Sequence, residues 1–183
     1  GKDGQSIHID SAKYETQKSN NSHIDAEDGK IQIDVPADAA GEDLAVDVRP
    51  PSFHKMPAVS LTGYPIEIIA AGKDTGTNVK KFQKPITIKI KYDKERIFGK
   101  NEGDLMVYWY NEEDYDWYPL PTIVDLESQT LTAESDHLTV FDYKATSWQA
   151  YSPPTVDDFK VSDFTGAATY ALDVWTPPAP GGL

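Results

Sequence analysis

The sequence predicts an all-β fold, an antiparallel β-sandwich followed by an extended C-terminal tail. Three observations carry this. In Pro85-Ile-Thr-Ile-Lys-Ile-Lys-Tyr92 the apolar residues Ile86, Ile88, Ile90 and Tyr92 alternate with Thr87, Lys89 and Lys91, the period of a strand with one buried and one wet face. Asp28-Gly29 stands between two alternating runs, which is a hairpin signal because the tight turn needs positive φ. Short apolar runs recur along the chain with turn residues between them and no long helical period, the pattern of a sandwich rather than a parallel α/β fold.

Taken in order, residues 1–21 form a polar lead-in strand and loop, and Asn20-Asn21-Ser22 fits a glycosylation sequon. His23–Ala26 and Lys30–Val35 flank the Glu27-Asp28-Gly29 turn, and Pro36–Gly41 allows one helical turn ending at glycine. A strand at Leu44–Val48 is broken by Pro50 and Pro51, and pairing resumes at Tyr64–Ala71 with Pro65 at its start. Beyond the isoleucine strand, Asp93–Gly99 reads as a short helical turn stopped by glycine. Leu105–Tyr110 is apolar on both faces, which places it inside a sheet. Trp117–Pro121, Ile123–Leu126, Thr130–Glu134 and His137–Tyr143 supply the remaining strands. The main domain is placed at residues 22–146 and a Ser152-Pro153-Pro154 linker at 147–163. Residues 164–183 begin another unit, in which a strand-like run meets a Pro/Gly turn and stops where a following strand belongs.

Composition narrows the function classes. Thirty Asp and Glu against 17 Lys and Arg give a net charge of −13, which opposes nucleic-acid binding and charge-driven docking on an anionic membrane. With no cysteine there are no disulfides, thiolate zinc sites or cysteine nucleophiles. No run approaches the ~20 apolar residues of a membrane span. Gly1-Lys2-Asp3-Gly4 reads as a processing boundary, and no signal peptide opens the chain.

Two stretches resemble known families. Asp28–Ala39, Phe82–Asp93, Trp117–Pro121 and His137–Tyr143, in this order and spacing, resemble the domain shared by zonula-occludens and netrin-receptor proteins, a ZU-type domain also found in ankyrins and bacterial surface proteins. The tail, Thr165-Gly-Ala-Ala-Thr-Tyr170 running on to Pro177-Pro-Ala-Pro-Gly-Gly-Leu183, resembles the opening of rearrangement-hot-spot (YD-repeat) and virulence-plasmid-B-type toxin proteins. The first resemblance implies a β-sandwich interaction module. The second implies a place on the N-terminal side of a large β-shell in a secreted or cell-surface bacterial protein. Some ZU-type relatives cleave themselves at a His-Phe-Ser tripeptide; here Leu138 and Thr139 replace the last two residues.

His137-Leu138-Thr139 is the one arrangement with a nameable reaction. The Thr139 hydroxyl would attack the Leu138 carbonyl with His137 assisting proton transfer, and a strained peptide bond is required. The competing reading makes Thr139 an ordinary strand residue. The hairpin Tyr108–Tyr118, with Tyr108, Trp109, Tyr110, Tyr115, Trp117 and Tyr118, reads either as a sugar- or peptide-stacking surface or as cross-strand packing. Its loop offers Asn111, Glu112, Glu113, Asp114 and Asp116 as Ca²⁺ donors but lacks the turn glycine of a dedicated loop, so a solvated acidic loop competes. Ser60 lacks a nucleophile-elbow context, His8, His23 and His54 lack zinc spacing, and Gly72 and Gly76 form no phosphate loop. The expectation is a non-catalytic structural or interaction module with no cofactor, no metal and no catalytic residue. Its partner is the remainder of its own polypeptide or another protein, and nucleic acid and membrane insertion are excluded. Self-cleavage at Leu138-Thr139 and carbohydrate binding by residues 108–118 are the alternatives.

Overall fold

The computed structural model describes residues 12–52, 61–62, 64–97 and 99–145. Eleven strands fill this span: β1 (Ala12–Thr16), β2 (Ser22–Ala26), β3 (Ile31–Val35), β4 (Leu44–Arg49), β5 (Ile66–Gly72), β6 (Ile86–Lys91), β7 (Leu105–Asn111), β8 (Asp116–Leu120), β9 (Thr122–Asp125), β10 (Thr130–Ser135) and β11 (Val140–Ala145). They form a six-stranded sheet A, ordered β1-β4-β5-β11-β7-β8, and a five-stranded sheet B, ordered β2-β3-β6-β10-β9. Every strand pair is antiparallel. The two sheets pack into the expected sandwich.

The isoleucine strand behaves as its alternation requires. Ile86, Ile88 and Ile90 of β6 are buried, and they meet Leu105 and Val107 of β7 in one core with Ile31, Ile33, Ile66, Ile68, Leu131 and Phe141. Trp109 lies on the same side of β7 but is only half-buried, at the margin of that core. The β2–β3 hairpin turns at Glu27, Asp28 and Gly29, with φ of 55°, 53° and 82°. The left-handed geometry that the Asp-Gly pair signalled thus begins one residue earlier, at Glu27.

Three expectations are corrected. Pro36–Gly41 makes turns and bends rather than a helical turn; Asp38 takes φ of 60° and its N–H reaches back to Lys18 O at 2.8 Å, which a helix would forbid. Ala12–Thr16 is not merely a lead-in, because it pairs along β4 as an edge strand of sheet A. His137-Leu138-Thr139 precedes β11 instead of opening it, so Thr139 lies in the bend joining the sheets and not in a regular strand. The 147–163 linker, the 164–183 segment, His8, His54 and Ser60 lie outside the described residues.

The two outward faces differ. Sheet B presents Gln32, Asp34, Thr87 and Lys89 to solvent, opposite the isoleucines. Sheet A carries Glu67, Val140, Tyr110 and Asp142 on its outward side, all buried. On this side the described ends of the β4–β5 connection are fastened to sheet A. Arg49 Nε donates to Glu67 Oε2 at 2.9 Å and Ser52 N–H at 3.4 Å. Leu61 N–H and Thr62 N–H each donate to Asp142 Oδ2 at 3.0 Å, and the Thr62 hydroxyl bonds Asp142 Oδ1.

Candidate functional site

The two sequence candidates that stood apart in the chain meet at one groove. Antiparallel pairing sets Phe141 of β11 opposite Trp109 of β7, which carries the preceding residues 137–139 alongside the end of β7 and its hairpin. The groove is about 270 Å³ and is walled by Trp109, Tyr110, His137, Leu138 and Thr139, with Asn78, Lys80, Glu112 and Glu113 also in its lining.

The Thr139 hydroxyl and His137 Nδ1 in this wall have fixed partners. The Thr139 hydroxyl donates to Tyr110 O at 2.9 Å, and Thr139 O accepts from Ile68 N–H at 3.0 Å. The residue therefore ties β11 to β7 through its side chain and to β5 through its backbone. His137 Nδ1 lies 2.9 Å from Asp136 Oδ1 and 3.4 Å from Ser135 Oγ. A carboxylate only accepts, so Nδ1 carries a proton in that contact. Ser135 Oγ donates to His137 O at 2.7 Å, so its proton is directed at a carbonyl and not at the ring. Ser135, His137 and Asp136 thus hold the groups of a triad without its geometry, which needs the serine and the carboxylate on opposite ring nitrogens. Nε2 is buried without a hydrogen-bond partner among the described residues, and the ring packs edge-on against Trp109 with centroids 4.3 Å apart. The His137 hydrogen bond holds the Asp136 carboxyl below the usual carboxylate range against the opposing effect of its partial burial.

Among the described residues the non-glycine positive φ values fall at Glu27, Asp28, Asp38, Tyr115 and Gln129, none within 137–139. Thr139 is held as a cross-strand tie in a bend and is not a β-branched residue inside a regular strand.

The aromatic hairpin divides between packing and exposure. Tyr110, buried on the outward face, packs on Trp117 at 5.2 Å between centroids, and burial pushes its hydroxyl pKa up. Trp109 stacks on Tyr118 at 5.3 Å. Tyr115 at 76% and Tyr118 at 40% are the exposed members. In the acidic loop, Asn111, Asp114 and Asp116 spend side-chain oxygens within the hairpin itself. Asn111 Oδ1 accepts from Glu113 N–H at 3.0 Å, Asp116 Oδ1 from Trp117 N–H at 2.7 Å, and Asp114 from the Tyr118 hydroxyl. That last bond raises the pKa of Tyr118. No group of three or more acidic or histidine side chains is placed to hold a metal among the described residues. His23 Nδ1 is 2.5 Å from Asp34 Oδ1 on the solvent face of sheet B, a surface pair.

Sequence reasoning passed over Glu67 and Asp142. Glu67 breaks an apolar run in Ile66–Ala70, and Asp142 stands between Phe141 and Tyr143. A lone acid inside a strand that is apolar on both faces was the available signal, since such an acid must find donors. No protein-family model matches the chain, and no curated protein matches it. No helix among the described residues is long and apolar enough to cross a membrane.

Proposed function

We propose that this chain is a non-catalytic interaction module, a ZU-type sandwich on the N-terminal side of a YD-repeat shell in an exported bacterial protein. Its partner in this reading is the remainder of its own polypeptide or another protein, met at the secreted or cell-surface side. The observation that supports it best is the commitment of the Thr139 hydroxyl to Tyr110 O at 2.9 Å. A nucleophile whose proton is held by a backbone carbonyl, with no base on its oxygen, has nothing to activate it. The test is intact-mass analysis after days at neutral pH, with Thr139→Ala as control. A single full-length species is expected. A fragment beginning at Thr139 that the control lacks would replace this reading with self-processing.

A second reading, carbohydrate or adhesive binding through residues 108–118, is favoured by one observation. Tyr118, stacked on Trp109, is 40% exposed, and Trp109, Glu112 and Glu113 line the groove; sugar rings stack on exposed aromatic rings while acids bind their hydroxyls. A glycan array compared with a Tyr118→Ala array separates the two: hits lost in the variant support binding here, and an empty array removes it.

A further inference from the structure

The four outer strands of the sandwich, β1, β8, β2 and β9, differ in how they guard their free edges. An outer strand exposes unpaired N–H and C=O groups, and charge or proline normally blunts it. β1 turns Lys13 and Glu15 to solvent, β2 turns His23 and Asp25, and β8 carries Pro119, which offers no donor. β9 has one charge, Asp125 at its end, and carries in its middle an isoleucine, Ile123, that is 73% exposed.

The register fixes which groups of β9 face off the sheet. Tyr92 N–H donates to Gln129 O at 2.9 Å, and the β6–β10 register sets these two residues directly opposite. Hydrogen-bonded pairs alternate along an antiparallel ladder. Leu131 and Ala133 therefore turn their backbone groups to β6, while Thr130 and Thr132 turn theirs to β9. There they meet Asp125 and Ile123. The N–H and C=O groups of Thr122 and Val124 are left pointing away from the sheet, with no hydrogen-bond partner among the described residues. Side chains alternate as well: Val124 packs against the core, and Ile123 stands on the outward face beside Thr132.

We infer that β9 is a pairing edge for a second copy of this chain, joined antiparallel about a twofold axis through Ile123. In this register Thr122 of each copy exchanges hydrogen bonds with Val124 of the other, which satisfies the outward-facing groups of the strand. Ile123 meets Ile123 of the second copy in a non-hydrogen-bonded pair, the closer of the two pair types, and the two exposed side chains cover each other. Asp125 falls opposite Pro121, so no like charges stand face to face. A slip that sets Ile123 against Asp125 loses the apolar pair, which selects the register. Each copy carries a net charge of −13, a repulsion that salt screens. Four residues per copy bury less than the roughly 1,200–2,000 Å² of a stable complex, so the pair is weak, with Kd of about 0.1–1 mM. This edge shares no residue with the Trp109–His137 groove.

The chain has no cysteine, so Ile123→Cys in the full chain reports the register directly: the Cα separation of a non-hydrogen-bonded pair lies within disulfide range. At about 0.5 mM protein, oxidised glutathione should convert Ile123→Cys to a covalent dimer about tenfold faster than Asp125→Cys, whose opposite position is proline. Sedimentation of the wild type should show dimer growing with concentration, and more of it in about 0.5 M than in about 0.05 M salt. Ile123→Lys, at an exposed position, should keep its thermal midpoint and remain monomeric. A wild type that stays monomeric at about 1 mM, equal disulfide rates at 123 and 125, or a dimer that survives Ile123→Lys would overturn the pairing. Slow exchange of the Thr122 and Val124 amides in the dilute chain would also overturn it, because the edge would then be covered within one molecule.

Discussion

The outward faces of the two sheets are built from the same alternating strand pattern and do opposite things. On sheet B, alternation turns Thr87, Lys89, Gln32 and Asp34 to water, and their charges meet in surface pairs such as Lys89 Nζ to Asp34 Oδ2 at 3.3 Å. On sheet A the equivalent positions hold Glu67 and Asp142, each 1% exposed. There the carboxylates act as fasteners for backbone N–H groups of the β4–β5 connection. A charge in water contributes little to stability; the same charge buried against several donors is costly to remove, because the donors lose their partners together. A polar residue in an alternating strand therefore marks solvent on one sheet and an anchor on the other.

The inward face sets the scale for breaking that contrast. Ile88→Ala, at a position with no exposure, should cost about 4 kcal/mol through lost burial and the cavity left behind. A denaturation midpoint equivalent to less than about 1 kcal/mol would displace β6 from the core. Asp142→Ala should follow at about 3 kcal/mol, since two backbone N–H groups and the Thr62 hydroxyl lose their acceptor. A loss no larger than that of a surface change would make the two outward faces alike. Thr139→Val keeps the shape and removes the bond to Tyr110 O, for about 1 kcal/mol.

Glu42 sharpens the contrast from the exposed side. The Thr75 hydroxyl, and then the Asp74 and Thr75 N–H groups, hold its carboxyl below the usual range. Its stabilisation is thus present above the unfolded carboxylate pKa of about 4.3 and is lost as pH falls through the lower folded value. Wild type should exceed Glu42→Gln in stability at pH 7 and match it near the acid limit; a gap that grows on acidification would reverse the sign. Gly72 is tied to the same feature, because a Cβ there would lie 2.1 Å from Glu42 Oε1. Gly72→Ala should displace Glu42, so the two substitutions together should cost less than their sum. Smallest of all, Lys89→Ala should stay within about 0.5 kcal/mol.

How much of this was legible in the sequence follows the same division. β6 and the β2–β3 hairpin were readable because one face is uniformly wet and the turn demands a left-handed residue. The Pro36–Gly41 turn was misread because alanines and a terminal glycine suit a helix locally, while the Lys18 carbonyl that captures Asp38 N–H comes from another part of the chain. The His137–Thr139 groove was half legible: its residues stood out, but their meeting with Trp109 depends on the β7–β11 register. Glu67 and Asp142 were silent, since nothing local shows that Arg49, Ser52, Leu61 and Thr62 will supply their donors.

Amide hydrogen exchange at Leu61, Thr62 and Ile68 tests whether the buried or reactive-looking polar groups of sheet A are structural ties. Leu61 and Thr62 donate to Asp142, and Ile68 donates to Thr139 O. If these acceptors are ties, all three amides should exchange slowly, near the rate of the β6 core amides, and Asp142→Asn should release Leu61 and Thr62 while leaving Ile68 protected. Exchange of Leu61 and Thr62 at the rate of the exposed 112–115 loop in the wild-type protein would contradict it.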